Sequence, residues 1–207
     1  MRNVMLGMMT TLNGRLDSPF EWVDAVGDDV YRRINENAKT SDTMLVGRTT
    51  YDEMVAYWPG TLASGEGTGS NQTMARHMNE VEKLVISRSG SRPLEPWHKA
   101  RMVTTADDAA LVAFITELKA KPGGNIHLSG GASLVQSMVR LGLVDRFTFY
   151  VFPTVSPGAA WFGEVAEKRD MTVMGVETFD KGVVGLTLEP RAPLDMGAPQ
   201  RFTELLS

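Results

Sequence analysis

The chain has 207 residues, 43% apolar and 22% charged, which suits one folded domain with a sizeable core and excludes a disordered polymer. A net charge of −4 argues against a general nucleic-acid binder, and the lack of cysteine excludes a disulfide framework, a thiolate metal site and a cysteine nucleophile. His77, His98 and His127 are far apart and lack HExxH spacing, which disfavours a metal site; no run of 18 apolar residues marks a membrane span.

Asn3–Thr11 reads as a first buried strand rather than a leader peptide, and Asn13-Gly14 turns the chain after it. Asp17 to Trp22 is irregular. Asp24–Ala38 has helical spacing, with Val26, Val30, Ile34 and Ala38 as its apolar stripe. Asp28 and Asp29 near its start suit the helix dipole. Thr43–Gly47 is a short buried strand that stops at glycine where a second helix starts. Thr49 or Thr50 can cap that helix, with Asp52 or Glu53 completing the cap, and Arg48 adds a cation beside free N–H groups.

Pro59 to Ser70, with glycines at 60, 65, 67 and 69, reads as a surface loop or lid. The strand Lys83–Ser87 delivers Ser87-Arg88-Ser89, a second group of hydroxyls and a cation at a strand end. Arg101–Thr104 is a shorter strand. Thr105 opens a helix over Ala106–Lys121, with Asp108 in capping-box position and Leu111, Phe114, Ile115 and Leu118 inward.

The strand Ile126–Ser129 then passes through Gly130-Gly131 into a helix whose apolar residues are Leu134, Val135, Met138 and Val139. Such a corner lets an anion approach the backbone and points free N–H groups at it, although the spacing is not GxGxxG. With Gly47 it makes two strand–glycine–helix corners, which suggests a ligand with several phosphates. Leu143–Pro153 is a long β-rich run. Met171–Phe179 and Val183–Glu189 form a hairpin around Asp180-Lys181-Gly182. The alternation predicts an α/β fold with a mostly parallel sheet, helices on both faces and an antiparallel C-terminal hairpin, built as one domain over residues 1–189. Residues 190–207 read as a surface extension.

In order, Thr11-Leu12-Asn13-Gly14, Trp22, Val46-Gly47-Arg48-Thr49-Thr50-Tyr51, Val85-Ile86-Ser87, Leu128-Ser129-Gly130-Gly131, Gly142-Leu143-Val144-Asp145 and Pro153 resemble the dihydrofolate reductase superfamily. The nearest look is to the branch that includes the C-terminal reductase domain of bacterial riboflavin biosynthesis proteins. The resemblance, over residues 2–189, implies an eight-stranded three-layer fold, NADPH as cofactor, a cytoplasmic reductase and a homodimer. It implies that Thr11, Gly47, Arg48, Thr49 and Thr50 contact the cofactor, with Ser87 and Arg88 at the adenosine 2′-phosphate. Gly130, Gly131, Ala132, Ser133 and Leu134 would wrap the pyrophosphate. Asn13, Trp22 and Ser129 would border the substrate. That branch usually carries Asp where this chain has Asn13, and its riboflavin-pathway reductases carry Glu where it has Ser129, so two carboxylates are absent. Asp28 is the nearest candidate proton donor, with Asp24 and Glu21 as alternatives. The expected reaction is hydride transfer to a C=N or C=O bond of a pterin-like or related heterocycle. The rival reading is a nucleotide-binding module of the same fold that has lost catalysis.

Overall fold

The structure is a computed structural model, described over residues 1–16, 21–23, 26–158 and 168–191. The elements run β1 (Val4–Thr11), α1 (Asp28–Ala38), β2 (Ser41–Gly47), α2 (Arg48–Ser64), α3 (Gly69–Glu80), β3 (Glu82–Ser87) and β4 (Ala100–Thr104). There follow α4 (Asp108–Ala120), β5 (Asn125–Gly130), α5 (Ala132–Arg140), β6 (Arg146–Phe152), β7 (Met171–Thr178) and β8 (Val184–Pro190). The expected segment Asp17 to Phe20, residue Asp24 and the tail from residue 192 onward lie outside the described residues.

The eight strands form one sheet in the order β4-β3-β2-β5-β1-β6-β8-β7. β1 to β6 are parallel; β8 pairs antiparallel with β6 and with β7. This is the mostly parallel sheet with an antiparallel hairpin that the alternation predicts. The C-terminal ends of six strands therefore share one edge, where open α/β sheets present ligand sites.

Both faces carry helices, packed against the apolar residues of the strands. On one face α4 and α5 bury Leu111, Ile115, Leu118, Leu134, Val135 and Met138 against the strands. Full burial of each such side chain is worth roughly 1.5–3 kcal/mol. On the other face, α1 to α3 build two separate clusters. One joins Met44, Val46 and Val85 to Tyr51, Met74 and Met78; the other joins Trp22 and Val30 to Tyr150 and Phe152. Ile34 of α1 packs against both.

Three expectations are corrected. The stretch from Pro59 to Ser70 is not a loop or lid: α2 continues through Pro59 to Ser64, and α3 begins at Gly69. Side-chain bonds explain the helical hairpin, since Gln72 donates to the Thr61 carbonyl at 2.9 Å and Asn79 to that of Trp58 at 3.3 Å. Gly65, at φ 68°, ends α2. No side chain caps α2 at Thr49 or Thr50, because the N-cap is Gly47 and Asp52 pairs with Arg48 instead. Finally, α4 is capped by Asp107, which accepts from the Ala110 N–H at 2.8 Å, while the buried Thr105 hydroxyl has no partner.

Candidate active site

β2 and β5 are neighbours, and their glycine ends meet. A Cβ on Gly131 would lie 2.9 Å from the Gly47 Cα, and one on Gly47 would lie 3.2 Å from the Gly131 Cα. Gly130 and Gly131 take φ values of 135° and 88°, which side-chain-bearing residues rarely adopt. This contact sets the starts of α2 and α5 side by side. Neither helix has a side-chain cap, so the first-turn N–H groups of Arg48, Thr49 and Thr50 and of Ala132, Ser133 and Leu134 have no acceptor within the protein's helices. Thr49, Ala132 and Ser133 are exposed, and a Cβ added at Gly130 would meet the Thr50 methyl at ordinary contact distance. Two uncapped, positive helix ends side by side in an open corner could hold a polyphosphate anion.

Beside this corner the sheet opens. β1 pairs with β5 only from Val4↔Ile126 to Leu6↔Leu128, although β1 continues along β6 to Thr11↔Phe152. Beyond Leu6 and Leu128 the two strands separate and leave a notch between Gly7–Thr11 and Ser129-Gly130. On the other side of β5 the register jumps from Leu45↔Leu128 to Val46↔Gly130. Ser129 is therefore a bulged residue, of the kind that re-aims a side chain at the rim of a site. Neither the notch nor the bulge was legible from periodicity; the pair Ser129-Gly130 before Gly131 is the trace they leave in the sequence.

The predicted cations are placed differently from one another. Arg48 does not reach out toward the corner: its guanidinium is held by Asp52 at 3.0 Å and donates to the carbonyls of Arg92 and Pro93 at 2.8 and 2.7 Å. It pins the loop after β3 to α2, and at this corner α2 offers its backbone. Arg88 is exposed and pairs with Asp108 at 2.6 Å, and Asp108 also binds Arg140 at 2.7 Å. These two hydrogen bonds hold the Asp108 carboxyl below the usual range. Ser87 lies at the same strand end and accepts from the Gly90 N–H at 3.1 Å.

The residues expected around the substrate are mostly committed to structure. The Thr11 hydroxyl, buried, donates to the Asn13 side chain at 2.7 Å and accepts from the Arg15 N–H. Asn13 in turn donates to the Ser156 carbonyl at 2.9 Å, so it ties the loop after β1 to the loop after β6 rather than facing a ligand. Trp22 is buried and packs edge-on to Phe152 with ring centroids 5.9 Å apart. Asp28 lacks the apolar surroundings that proton donation calls for: its side chain is 49% exposed and faces Arg32 at 3.8 Å. Asp29 accepts the N–H groups of Asp180 and Val30, which hold it below the usual carboxylate range and fasten α1 to the β7–β8 turn. Glu21 pairs with the buried Arg15 at 2.6 Å.

A shallow concavity of about 560 Å³ at the opposite edge is lined by Arg2 paired with Asp42, by Lys99 paired with Glu80, and by Ser41 and His77. Among the described residues no cluster could hold a metal ion, and no helix is long and apolar enough to cross a membrane.

A mainly parallel eight-stranded sheet closed by an antiparallel hairpin, with a glycine corner beside a split at the central strand, defines a dihydrofolate-reductase-like α/β protein. The chain belongs to the RibD C-terminal domain family, whose model matches residues 2–185. Two relatives from Bacillus subtilis (strain 168), the uncharacterized proteins YyaP and YwjB, are 27% and 23% identical over 184 and 186 residues. Each alignment covers 88% of this chain, with 92% of YyaP and 95% of YwjB. Among solved structures, a protein of Shewanella sp. PV-4, provisionally assigned to riboflavin biosynthesis, superposes with a TM-score of 0.70 at 17% identity. It covers 92% of this chain and 99% of its own. Dihydrofolate reductase from Enterococcus faecalis, solved with NADP(H), gives 0.54 at 13% identity, with 92% and 97% covered. RibD of Acinetobacter baumannii gives 0.62 at 17% identity over 93% of this chain and 59% of that one.

Proposed function

We propose that the protein is an NADPH-dependent reductase acting on a C=N or C=O bond of a pterin-like or related heterocycle. The observation that carries this reading is the pair of uncapped helix starts held together at the Gly47–Gly131 contact, directly beside the β1–β5 notch. The backbone of residues 48–50 and 131–134 would hold the pyrophosphate, and Arg88 with Ser87 the 2′-phosphate. When bound, NADPH supplies the hydride. The chain's own part is to fix the anion at the corner, to keep the notch open for the reacting ring, and to exclude water with the apolar walls on either side. Exposed ion pairs are worth about 0–1 kcal/mol, so a phosphate dianion can take Arg88 from Asp108 at little cost. Asp28, by its exposure, is not assigned the proton-donor role.

Titration with NADPH and, separately, NADH, read by quenching of the four tryptophans, tests the assignment. NADPH is expected to bind at least tenfold more tightly than NADH, and Arg88→Ala to remove most of that preference while leaving NADH affinity within twofold. Equal affinities, or no binding of either, would sink the reading.

The two absent carboxylates, at Asn13 and Ser129, favour a second reading in which the corner binds a dinucleotide and no hydride is transferred. NADPH oxidation against a panel of pterins, aminopyrimidines and small carbonyls separates the two. In the first reading the protein works in the cytoplasm as a homodimer. The outermost strand β7 exposes Val173, Met174 and Val176, a surface a second copy would cover. Light scattering is expected to give twice the chain mass of 22.7 kDa; a monomer mass removes the dimer.

A further inference from the structure

The two central strands of an eight-stranded sheet are the last place where side chains should reach solvent, yet on the face of α1 to α3 they do. Met5, Gly7 and Met9 of β1 and His127 and Ser129 of β5 are all only half-buried, between two clusters whose own residues on β2 and β6 are closed off. The helical layer thus leaves a slot over β1 and β5 that leads down from the notch. His127 stands at its floor, with Met5 and Met44 as its register partners on either side. Its ring leans toward Gly7, where the Cε1 atom lies 3.7 Å from the place a Cβ would occupy. Among the described residues no hydrogen bond engages the imidazole.

Resting on the reductase reading above, we infer that His127 is a substrate-binding residue: from the floor of the slot it hydrogen-bonds the ring of a flat, uncharged heteroaromatic substrate. The walls fit that chemistry. Thioethers from Met5 and Met9 offer soft, polarisable contacts to an aromatic face, and Gly7 between them lets the His127 ring lie close to β1. Of the carboxylates in this region, Glu21 is spent on Arg15, Asp29 on backbone N–H groups, and Asp28 faces solvent, so nothing described would hold a cationic ring or a row of sugar hydroxyls. The imidazole itself is neutral at physiological pH, because burial, with a contribution from His77, pulls it down to about 4. A neutral imidazole carries one donor and one acceptor, which matches the paired N–H and C=O or ring-nitrogen edge of such heterocycles.

Ring 1H–13C signals of the three histidines, assigned with a His127→Gln variant, provide the test. Saturating 6-methylpterin in the presence of NADP+ is expected to shift the His127 signal and leave that of His98 in place. His127→Phe is expected to raise the dissociation constant of 6-methylpterin at least tenfold with NADPH affinity within twofold. His127→Gln, which keeps a donor and an acceptor, is expected to stay within threefold for both. An unmoved His127 signal, or a Phe variant that binds 6-methylpterin as the wild type does, overturns the inference. NADPH titration distinguishes the failures: a protein that binds NADPH but leaves His127 unmoved loses only this inference, and one that binds no NADPH loses the reductase reading.

Discussion

Gly131→Ala is expected to destabilise the protein by about 3 kcal/mol and to abolish measurable NADPH binding. Two costs add. At φ 88° and ψ 100° the backbone of residue 131 sits where an L side chain is strained. The new methyl would also meet the Gly47 Cα at 2.9 Å and its nitrogen at 3.1 Å. Both are backbone atoms, so relief requires β2 and β5 to part at their C-terminal ends, and the starts of α2 and α5 part with them. That movement spreads the N–H groups that make the anion corner, which is why affinity falls along with stability. Gly60→Ala is the control, because nothing lies within 4 Å of a Cβ there and the residue is helical; it is expected to be neutral or slightly stabilising. Urea denaturation gives both stabilities. A Gly131→Ala midpoint equal to wild type would remove the close contact as the organiser of the site.

That contact explains how much of the site the sequence could disclose. Glycine at a change from strand to helical spacing is a local signal, so both corners, at Gly47 and at Gly130-Gly131, were legible. The strand order was not, since only tertiary pairing brings β2 and β5 together. The notch is invisible for the same reason: it is a difference between two registers, one ending at Leu6↔Leu128 and the other continuing to Thr11↔Phe152. Residue type alone also overstated Arg48 and Asn13. Each fits a ligand contact by position, and each is consumed by loops, after β3 and after β6, whose approach the chain order does not announce. Helix α3 went unrecognised because its first residues, Gly69 and Ser70, read as the end of the glycine-rich loop that began at Pro59. Its buried side, Met74, Ala75 and Met78, becomes informative only once α2 is known to lie against it. His127 did leave a local trace, a titratable residue inside an otherwise apolar strand.

Lys83→Met is expected to lower stability at pH 7 by about 3 kcal/mol, although it replaces a fully buried charge with an apolar side chain of similar length. Among the described residues no carboxylate forms an ion pair with the ammonium, and Glu80 acts on it only at longer range. It donates to the carbonyls of Asn79, Val81 and His98 at 3.1, 2.9 and 2.8 Å, and lies 4.4 Å from the centroid of the Trp97 ring. Trp97 in turn donates to the Asn79 side chain at 2.8 Å. One cation therefore fastens the end of α3, the entry to β3 and the turn before β4. Methionine removes the cost of burying the charge, but it leaves three carbonyls without a donor, each at about 1–3 kcal/mol, and the second effect is expected to win. The pH dependence gives a separate signature. Burial pulls Lys83 down to about 8 from the usual 10.5, outweighing the Glu80 carboxylate that favours the charged form, and the Lys99 charge acts in the same direction as burial. Below about pH 8 folded and unfolded chains both hold the proton. Between about 8 and 10.5 the unfolded chain binds it more tightly, so loss of the proton favours the folded state. Wild type should then gain stability relative to Lys83→Met as the pH rises through that window. Urea midpoints for both proteins at pH 7, 8, 9 and 10 read the difference directly; a gap that narrows with rising pH, or a methionine variant at least as stable as wild type at pH 7, would show that the lysine is not the fastening the geometry makes it.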